Sequence, residues 1–373
     1  MVLSYYYPHW TGLTAYAQRE AEGLVRRGHQ VTVLTARFRD DLAPEEVHNG
    51  VRIVRLRRLL RISRGPVQPA FPWVANRLVR EHDVVQMHGP LMEAPMVTGL
   101  AGLHKRPAVF TDHGDLVMPA GFFNQVVEKV VTAMMSRALR QSARITIHSK
   151  DYADHSRFLA PFQDKLAYIY PPVEIPAPIP EQVAAWRREL GAERLKLVGF
   201  AGRFVEEKGY DYLLKAIPSV VERVPEARFV YAGEHRVAYE PFYEKWHHLW
   251  QRWQDYLIMV GLILERQKMA NFYGMLDVLA LPSRTDCFPS VQIEAMMCGT
   301  PVVATDIPGG RVPVQVTGMG RLVRPRDERA LADGLVQVLQ ERPAYVKPRQ
   351  EIKSVFGLER SIDEYETLLR SLV

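Results

Sequence analysis

The sequence predicts an α/β protein with two doubly wound parallel-sheet domains. Strand-like and helix-like segments alternate along the chain, a proline-rich stretch interrupts the alternation once, and the 373 residues suit two domains at ~150 residues each. The first unit of the pattern is apolar Met1–Tyr7, read as a buried strand. A loop holding Gly12 follows, then a helix to Arg27 with Ala17, Ala21, Leu24 and Val25 at helical spacing, a stop at Gly28, and a β-branched run over 30–35. Strand, loop, helix and strand in this order form a right-handed βαβ unit, hence a parallel sheet.

Further strands are expected over 51–56, 83–87, 108–111 and 144–147, with helical material such as 125–140 between them. Residues 170–180 carry five prolines, which remove backbone donors and stiffen the chain into an extended connector. Beyond it strands are expected over 195–201, 227–231, 257–260, 278–281 and 301–304. Helices are expected over 210–223, 242–254, 265–274, 291–298 and 328–340. The domains are therefore read as 1–170, a linker 171–180, a second domain 181–350, and a terminal segment 351–373 whose amphipathic part, 358–372, crosses back to the first half. Two Rossmann-like halves leave a cleft between the carboxyl ends of two sheets, where open α/β folds bind ligands.

Composition narrows the function. Apolar residues make up 47 % and charged residues 24 %, which excludes a disordered or fibrous chain. The net charge of +6 suits an anionic ligand, although arginine supplies most of the cations and they are scattered. Cys287 and Cys298 fit neither a disulfide framework nor a zinc site. No run reaches ~18 apolar residues and the N-terminus lacks a signal-peptide pattern, so a cytoplasmic protein is expected.

Two constellations carry chemistry. In Gly199-Phe-Ala-Gly202-Arg203-Phe-Val-Glu-Glu-Lys208-Gly209 two cations face a helix start just after a strand. Glycines there permit close backbone approach, and Arg203 with Lys208 can clamp a diphosphate. The same cations can instead pair with Glu206, Glu207 or Asp211. The second constellation runs from Leu281 to Val303, with Asp286 in a loop and Glu294 eight residues on, both suited to sugar or ribose hydroxyls. Asp286 as a helix cap and Glu294 in a surface ion pair is the alternative. Neither a Gly-x-Gly-x-x-Gly nor a P-loop motif occurs.

In order and spacing these blocks resemble the retaining glycosyltransferases of glycosyltransferase family 4, whose fold is of the GT-B type. The resemblance also takes in the loop at Gly12, Asp83-Val-Val-Gln-Met-His88-Gly, Phe110-Thr-Asp-His113-Gly and Thr317-Gly-Met-Gly-Arg-Leu-Val323. It implies transfer of a sugar from a nucleotide diphosphate sugar, UDP- or GDP-linked, to an acceptor hydroxyl with retention, in glycan or glycolipid biosynthesis. Arg203 and Lys208 would hold the diphosphate beside Gly202, Glu294 the ribose, and Asp286 with Phe288, Pro289, Ser290 and Val291 the sugar. Gly261 and Leu262 would lie against the base, Gly12 near the phosphates, and His113 beside a sugar hydroxyl, in preference to His88. The chain departs from the family in having Asp286 where glutamate is usual, Thr11 before Gly12 where a second glycine is frequent, and the imino acid Pro289 in the sugar-binding loop.

No Asp-x-Asp pair occurs, so protein cations rather than a divalent metal are expected to neutralise the leaving diphosphate, and no cofactor is expected. Arg52, Arg55, Arg57, Arg58, Arg61 and Arg64 form a run without an acid, read either as a solvated loop or as a peripheral contact with an anionic inner membrane face that would suit a lipid-linked acceptor. No aromatic residue is interleaved, which argues against nucleic acid. Two further functions stay open, a nucleotide-sugar-binding protein with weak turnover and another GT-B-type enzyme such as an epimerase.

Overall fold

The computed structural model describes residues 1–62, 65–115, 121–237 and 240–373. Contacts divide the chain into two compact units, Met1–Pro172 with Leu358–Val373, and Val173–Gly357. The terminal segment read as 351–373 is divided: its amphipathic part from Leu358 returns to the first unit, and residues 351–357 do not. The helix Arg349–Phe356 stays with the second unit because Ile352 and Phe356 are buried there.

In the first unit a three-stranded and a four-stranded sheet are joined by Val2, which pairs in parallel with both Leu34 and Met87. The strands run Glu45–His48, Val51–Leu56, Thr32–Ala36, the Val2 segment, Val85–His88, Ala108–Thr111, Arg144–Ile147 and Leu166–Tyr168. All are parallel except the hairpin 45–56, whose turn residues Asn49 and Gly50 have φ of 49° and 82°. The expected strand over Met1–Tyr7 is shorter. Its last sheet bond is Ala36 N–H to Ser4 O at 3.1 Å, after which the chain turns at Tyr7-Pro8, where proline offers no donor.

The terminal helix Leu358–Arg370 belongs to this unit and buries Leu358, Ile362 and Tyr365, spaced along one face. Each such side chain contributes ~1.5–3 kcal/mol on burial. A Cβ at Gly23 would stand 2.5 Å from Ile362 Cδ1, so glycine is what lets this helix settle on the helix Gly12–Arg26.

The second unit holds one six-stranded parallel sheet. Numbered along the chain, its strands Lys196–Ala201, Ala227–Ala232, Leu257–Gly261, Val278–Leu281, Val302–Thr305 and Gly320–Val323 lie in the order 3-2-1-4-5-6. The direction of winding reverses between the first and fourth strands, and in such sheets the crevice at the carboxyl ends of that pair is the usual ligand site. The loops leaving these two strands begin at Gly202 and Pro282. Leu213, Leu214, Ile217 and Val220 of the helix Tyr210–Arg223 pack on the same core as Phe229, Tyr231, Leu331 and Leu335.

Candidate active site

The two constellations, 78 residues apart in sequence, meet at this reversal point. Lys208 Nζ donates to Asp286 Oδ2 at 2.6 Å and lies 2.9 Å from Glu207 Oε1. Burial works against the ammonium charge, but the Asp286 and Glu207 carboxylates outweigh it and hold the Lys208 pKa above its ordinary value. The pairing with Glu207 left open by the sequence is therefore present. Asp211, another of the possible partners, is occupied elsewhere: Arg284 grips it with two bonds of 2.9 Å, and Lys215 lies 3.4 Å away. Arg284 also bonds the Glu206 carbonyl at 2.5 Å, and its N–H donates to Glu207 O at 2.8 Å, so the two loops are fastened side by side.

Glycines make that fit possible. Gly209, at φ 65°, begins the helix Tyr210–Arg223, and a Cβ on it would sit 2.0 Å from Pro282 O. Gly309, at φ 75°, lies against the second loop, where its Cβ would meet Cys287 O at 2.1 Å and where it pairs with Asp286. Gly202 has a φ of 153°, and Gly261, at the end of a neighbouring strand, a φ of 75°. Arg203 is exposed beside Gly202, and Leu262 is exposed beside Gly261.

The helix Ser290–Met297 begins at Pro289, whose side chain makes no cap bond, so Asp286 is not its cap. Ser290 and Val291 supply the first-turn amides there, and Phe288 is buried with its ring 5.9 Å from that of Phe356. Glu294 lies on this helix and accepts from Tyr273 Oη at 3.2 Å.

His113 lies in the first unit, in a row of imidazoles at three parallel strand ends. Its Nε2 is 3.1 Å from His88 Nδ1 and its Nδ1 is 3.3 Å from His148 Nε2. The Tyr16 ring stands edge-on to His113 at 4.8 Å, and Tyr16 Oη lies 2.5 Å from Tyr365 Oη on the terminal helix. His88, weighed against His113 in the sequence, is thus its neighbour. Behind His88 lies Glu20, fully buried, with Oε1 accepting from Gln86 Nε2 at 2.7 Å and Oε2 3.9 Å from His88 Nε2. Burial pushes the Glu20 carboxyl up to about 8 and the His88 and His148 imidazoles down to about 3; His113 is also held well below its ordinary value. A neutral row of rings of this kind can donate and accept hydrogen bonds without carrying charge. Gly12 opens the helix Gly12–Arg26, capped by Thr11, with no atom within 4 Å of the place a Cβ would take.

Among the described residues no group of histidine, cysteine and carboxylate side chains could hold a metal ion, and no helix is long and apolar enough to cross a membrane. The arginine run does not act as one patch. Arg52 pairs with Glu45 and Glu81, and Arg55 is buried against Glu46, because the hairpin partner strand Glu45–His48 and the helix Phe71–Glu81 bring in acids that the run itself lacks. Arg64 lies outside the described residues.

Residues 10–175 match the family described as Glycosyltransferase Family 4, and residues 195–341 match Glycosyl transferases group 1. The chain belongs to glycosyltransferase family 4. An uncharacterized glycosyltransferase of Methanocaldococcus jannaschii is 28 % identical over 345 residues, covering 88 % of this chain and 85 % of that protein. The phosphatidylinositol N-acetylglucosaminyltransferase gpi3 subunit of Schizosaccharomyces pombe is 26 % identical, covering 91 % and 72 %. The Anabaena HepE structure with UDP-glucose superposes with a TM-score of 0.77 at 18 % identity, over 100 % of this chain and 98 % of that one. That likeness gives this family-4 glycosyltransferase the GT-B fold.

Several residues of these two clusters, one in each unit, were not read from the sequence. Arg284 and Gly309 act through contacts distant along the chain. Glu20 sits inside a helix that looks merely amphipathic. His148 left a signal that was missed, since it ends a predicted strand just as His88 does.

Proposed function

We propose that the protein transfers a sugar from a UDP- or GDP-sugar to an acceptor hydroxyl with retention of configuration and without a divalent metal. The observation that carries this reading is the meeting of Lys208 and Asp286 at the reversal point of an all-parallel sheet, beside an uncapped helix start. Loss of a nucleoside diphosphate develops charge on the leaving phosphate while the sugar becomes oxocarbenium-like. Arg203, Lys208 and the first-turn amides of Ser290 and Val291 are the groups suited to stabilise that charge. Asp286 and the backbone of Phe288 and Pro289 would orient the sugar, Glu294 the ribose, and Gly261 with Leu262 the base. Gly202 and Gly12 would let backbone approach the phosphates, and His113 would bond a sugar hydroxyl. The acceptor attacks the face the phosphate leaves, with the phosphate taking the acceptor proton. HepE, which shares the fold, has been captured with UDP and glucose, and this supports a nucleotide sugar as the donor class.

Thermal unfolding against a panel of nucleotide diphosphates and nucleotide sugars, in chelator, tests the reading. A ligand at a hundred times its Kd adds ~2.7 kcal/mol. At least one should stabilise the wild type and release its diphosphate on transfer, and none should stabilise Lys208→Ala; a flat response of both proteins to the whole panel sinks the proposal. A binding protein with weak turnover is the second reading, favoured by the carboxylates already holding Lys208. Donor hydrolysis by the wild type but not by His113→Ala would reject it.

A further inference from the structure

Two neighbouring parallel strands of the first unit end in arginine. Thr32–Ala36 is followed by Arg37, and Val51–Leu56 by Arg57 and Arg58; the Arg37 N–H donates to Leu56 O at 2.8 Å and ties the two ends together. There they line a cavity of about 600 Å3 with Asp40, Leu59 and Leu60. The carboxyl ends of parallel strands are where open α/β sheets take ligands, and among the described residues neither Gly12 nor the histidine row lines this cavity.

The charge here is unspent. Among the described residues Arg37, Arg57 and Arg58 form no ion pair, and Arg37 Nε is buried without a hydrogen-bond partner. Arg52 and Arg55 on the adjoining strand, by contrast, are neutralised by Glu45, Glu81 and Glu46. Three guanidinium charges against the one Asp40 carboxylate leave about two positive charges, which matches a phosphate monoester at −1.5 to −2 better than a carboxylate. Guanidinium forks also fit phosphate oxygens pairwise. The apolar part of the lining is exposed: Leu59 is 71 % and Leu60 48 % accessible, so a ligand with an apolar portion beside its phosphate would cover them. Among the described residues no aromatic side chain lines the cavity to stack a base.

We propose that Arg37, Arg57 and Arg58 form a binding site for the phosphate group of a phosphate ester, separate from the donor site at Lys208. The group can come from a phospholipid headgroup or from a free phosphorylated molecule. As an anion site it does not depend on the transferase reading.

Titration calorimetry of the full chain with inorganic phosphate and with a short-chain, monomeric phosphatidate tests the site, paired with sedimentation on phosphatidylcholine vesicles with and without phosphatidate. Saturable phosphatidate binding is expected, displaced by inorganic phosphate and weakened at least about ten-fold in Arg57→Gln/Arg58→Gln and in Arg37→Gln. Arg52→Gln removes the same unit of charge from a paired arginine and should change nothing, and Lys208→Ala should leave this binding intact. Capture by phosphatidate vesicles identifies a headgroup as the source, and binding in solution without capture identifies a free ester. Absence of binding in every format, equal weakening by Arg52→Gln, or loss in Lys208→Ala overturns the site, while nucleotide-sugar binding, read separately, can survive or fail on its own.

Discussion

Lys208 Nζ and Asp286 Oδ2 stand 2.6 Å apart, so the ammonium proposed to hold the donor diphosphate has a carboxylate partner within the protein. Glu207 at 2.9 Å is a second. A diphosphate arriving here has to share or displace these contacts. Lys208→Ala should therefore weaken nucleoside diphosphate binding by ~2–4 kcal/mol, because it removes a charge-assisted contact and leaves two carboxylates facing the anion. Glu207→Gln should tighten it, by up to about ten-fold, since a competing acceptor loses its charge. Calorimetric titration of both variants decides; weaker binding by Glu207→Gln would contradict the competition.

His113→Ala should lower the rate of transfer by ~10²-fold or more while leaving nucleoside diphosphate affinity within two-fold, if its role is to bond the sugar rather than the nucleotide. Steady-state kinetics together with a UDP or GDP titration separate the two. Equal loss of both would assign His113 to nucleotide binding or to folding.

Gly309→Ala should cost transfer activity more than stability. The new Cβ cannot coexist with Cys287 O at 2.1 Å, so the loop carrying Asp286 must shift, and a residue other than glycine at φ 75° adds ~1–2 kcal/mol of strain. Denaturant unfolding with activity on the same preparations checks this. A fully active variant would show that the Asp286 loop position is immaterial.

The first unit should be sensitive to acid. His88, His113 and His148 are neutral in the fold but take up protons when unfolded below their ordinary value near 6.5, so the unfolded state binds more protons there and stability falls as pH drops. Three such groups give a slope of up to ~4 kcal/mol per pH unit. His148→Gln should reduce that slope by about a third in urea unfolding between pH 6 and 4; an unchanged slope would mean that His148 is charged in the fold.

Glu20 works in the opposite direction. Its folded pKa of about 8 exceeds the ordinary carboxyl value of 4.5, so the folded state holds a proton that the unfolded chain has lost, and stability declines as pH rises from 4.5 toward 8. Glu20→Gln should flatten that decline by an amount of order a few kcal/mol, read from unfolding at pH 5 and pH 8. A variant that follows the wild-type pH profile would place the raised proton elsewhere, with Asp112, pushed up to about 7 by burial, as the next carboxyl to replace.

The sequence alone determined the α/β class, the run of parallel strands and the presence of Gly202, Arg203, Lys208, Asp286 and Glu294 as polar or flexible points in the loops and the helix that follow two of the strands. These features are local: period, glycine, proline and charge are written within a few residues of where they act. Only the tertiary structure decided that Lys208 and Asp286 touch, that His88, His113 and His148 form a row over a buried Glu20, and that the arginine run divides into paired Arg52 and Arg55 and unpaired Arg57 and Arg58. Those outcomes depend on which strands become neighbours and where burial removes water. Charge pairing and proton affinity are properties of that three-dimensional neighbourhood, and spacing along the chain does not encode it.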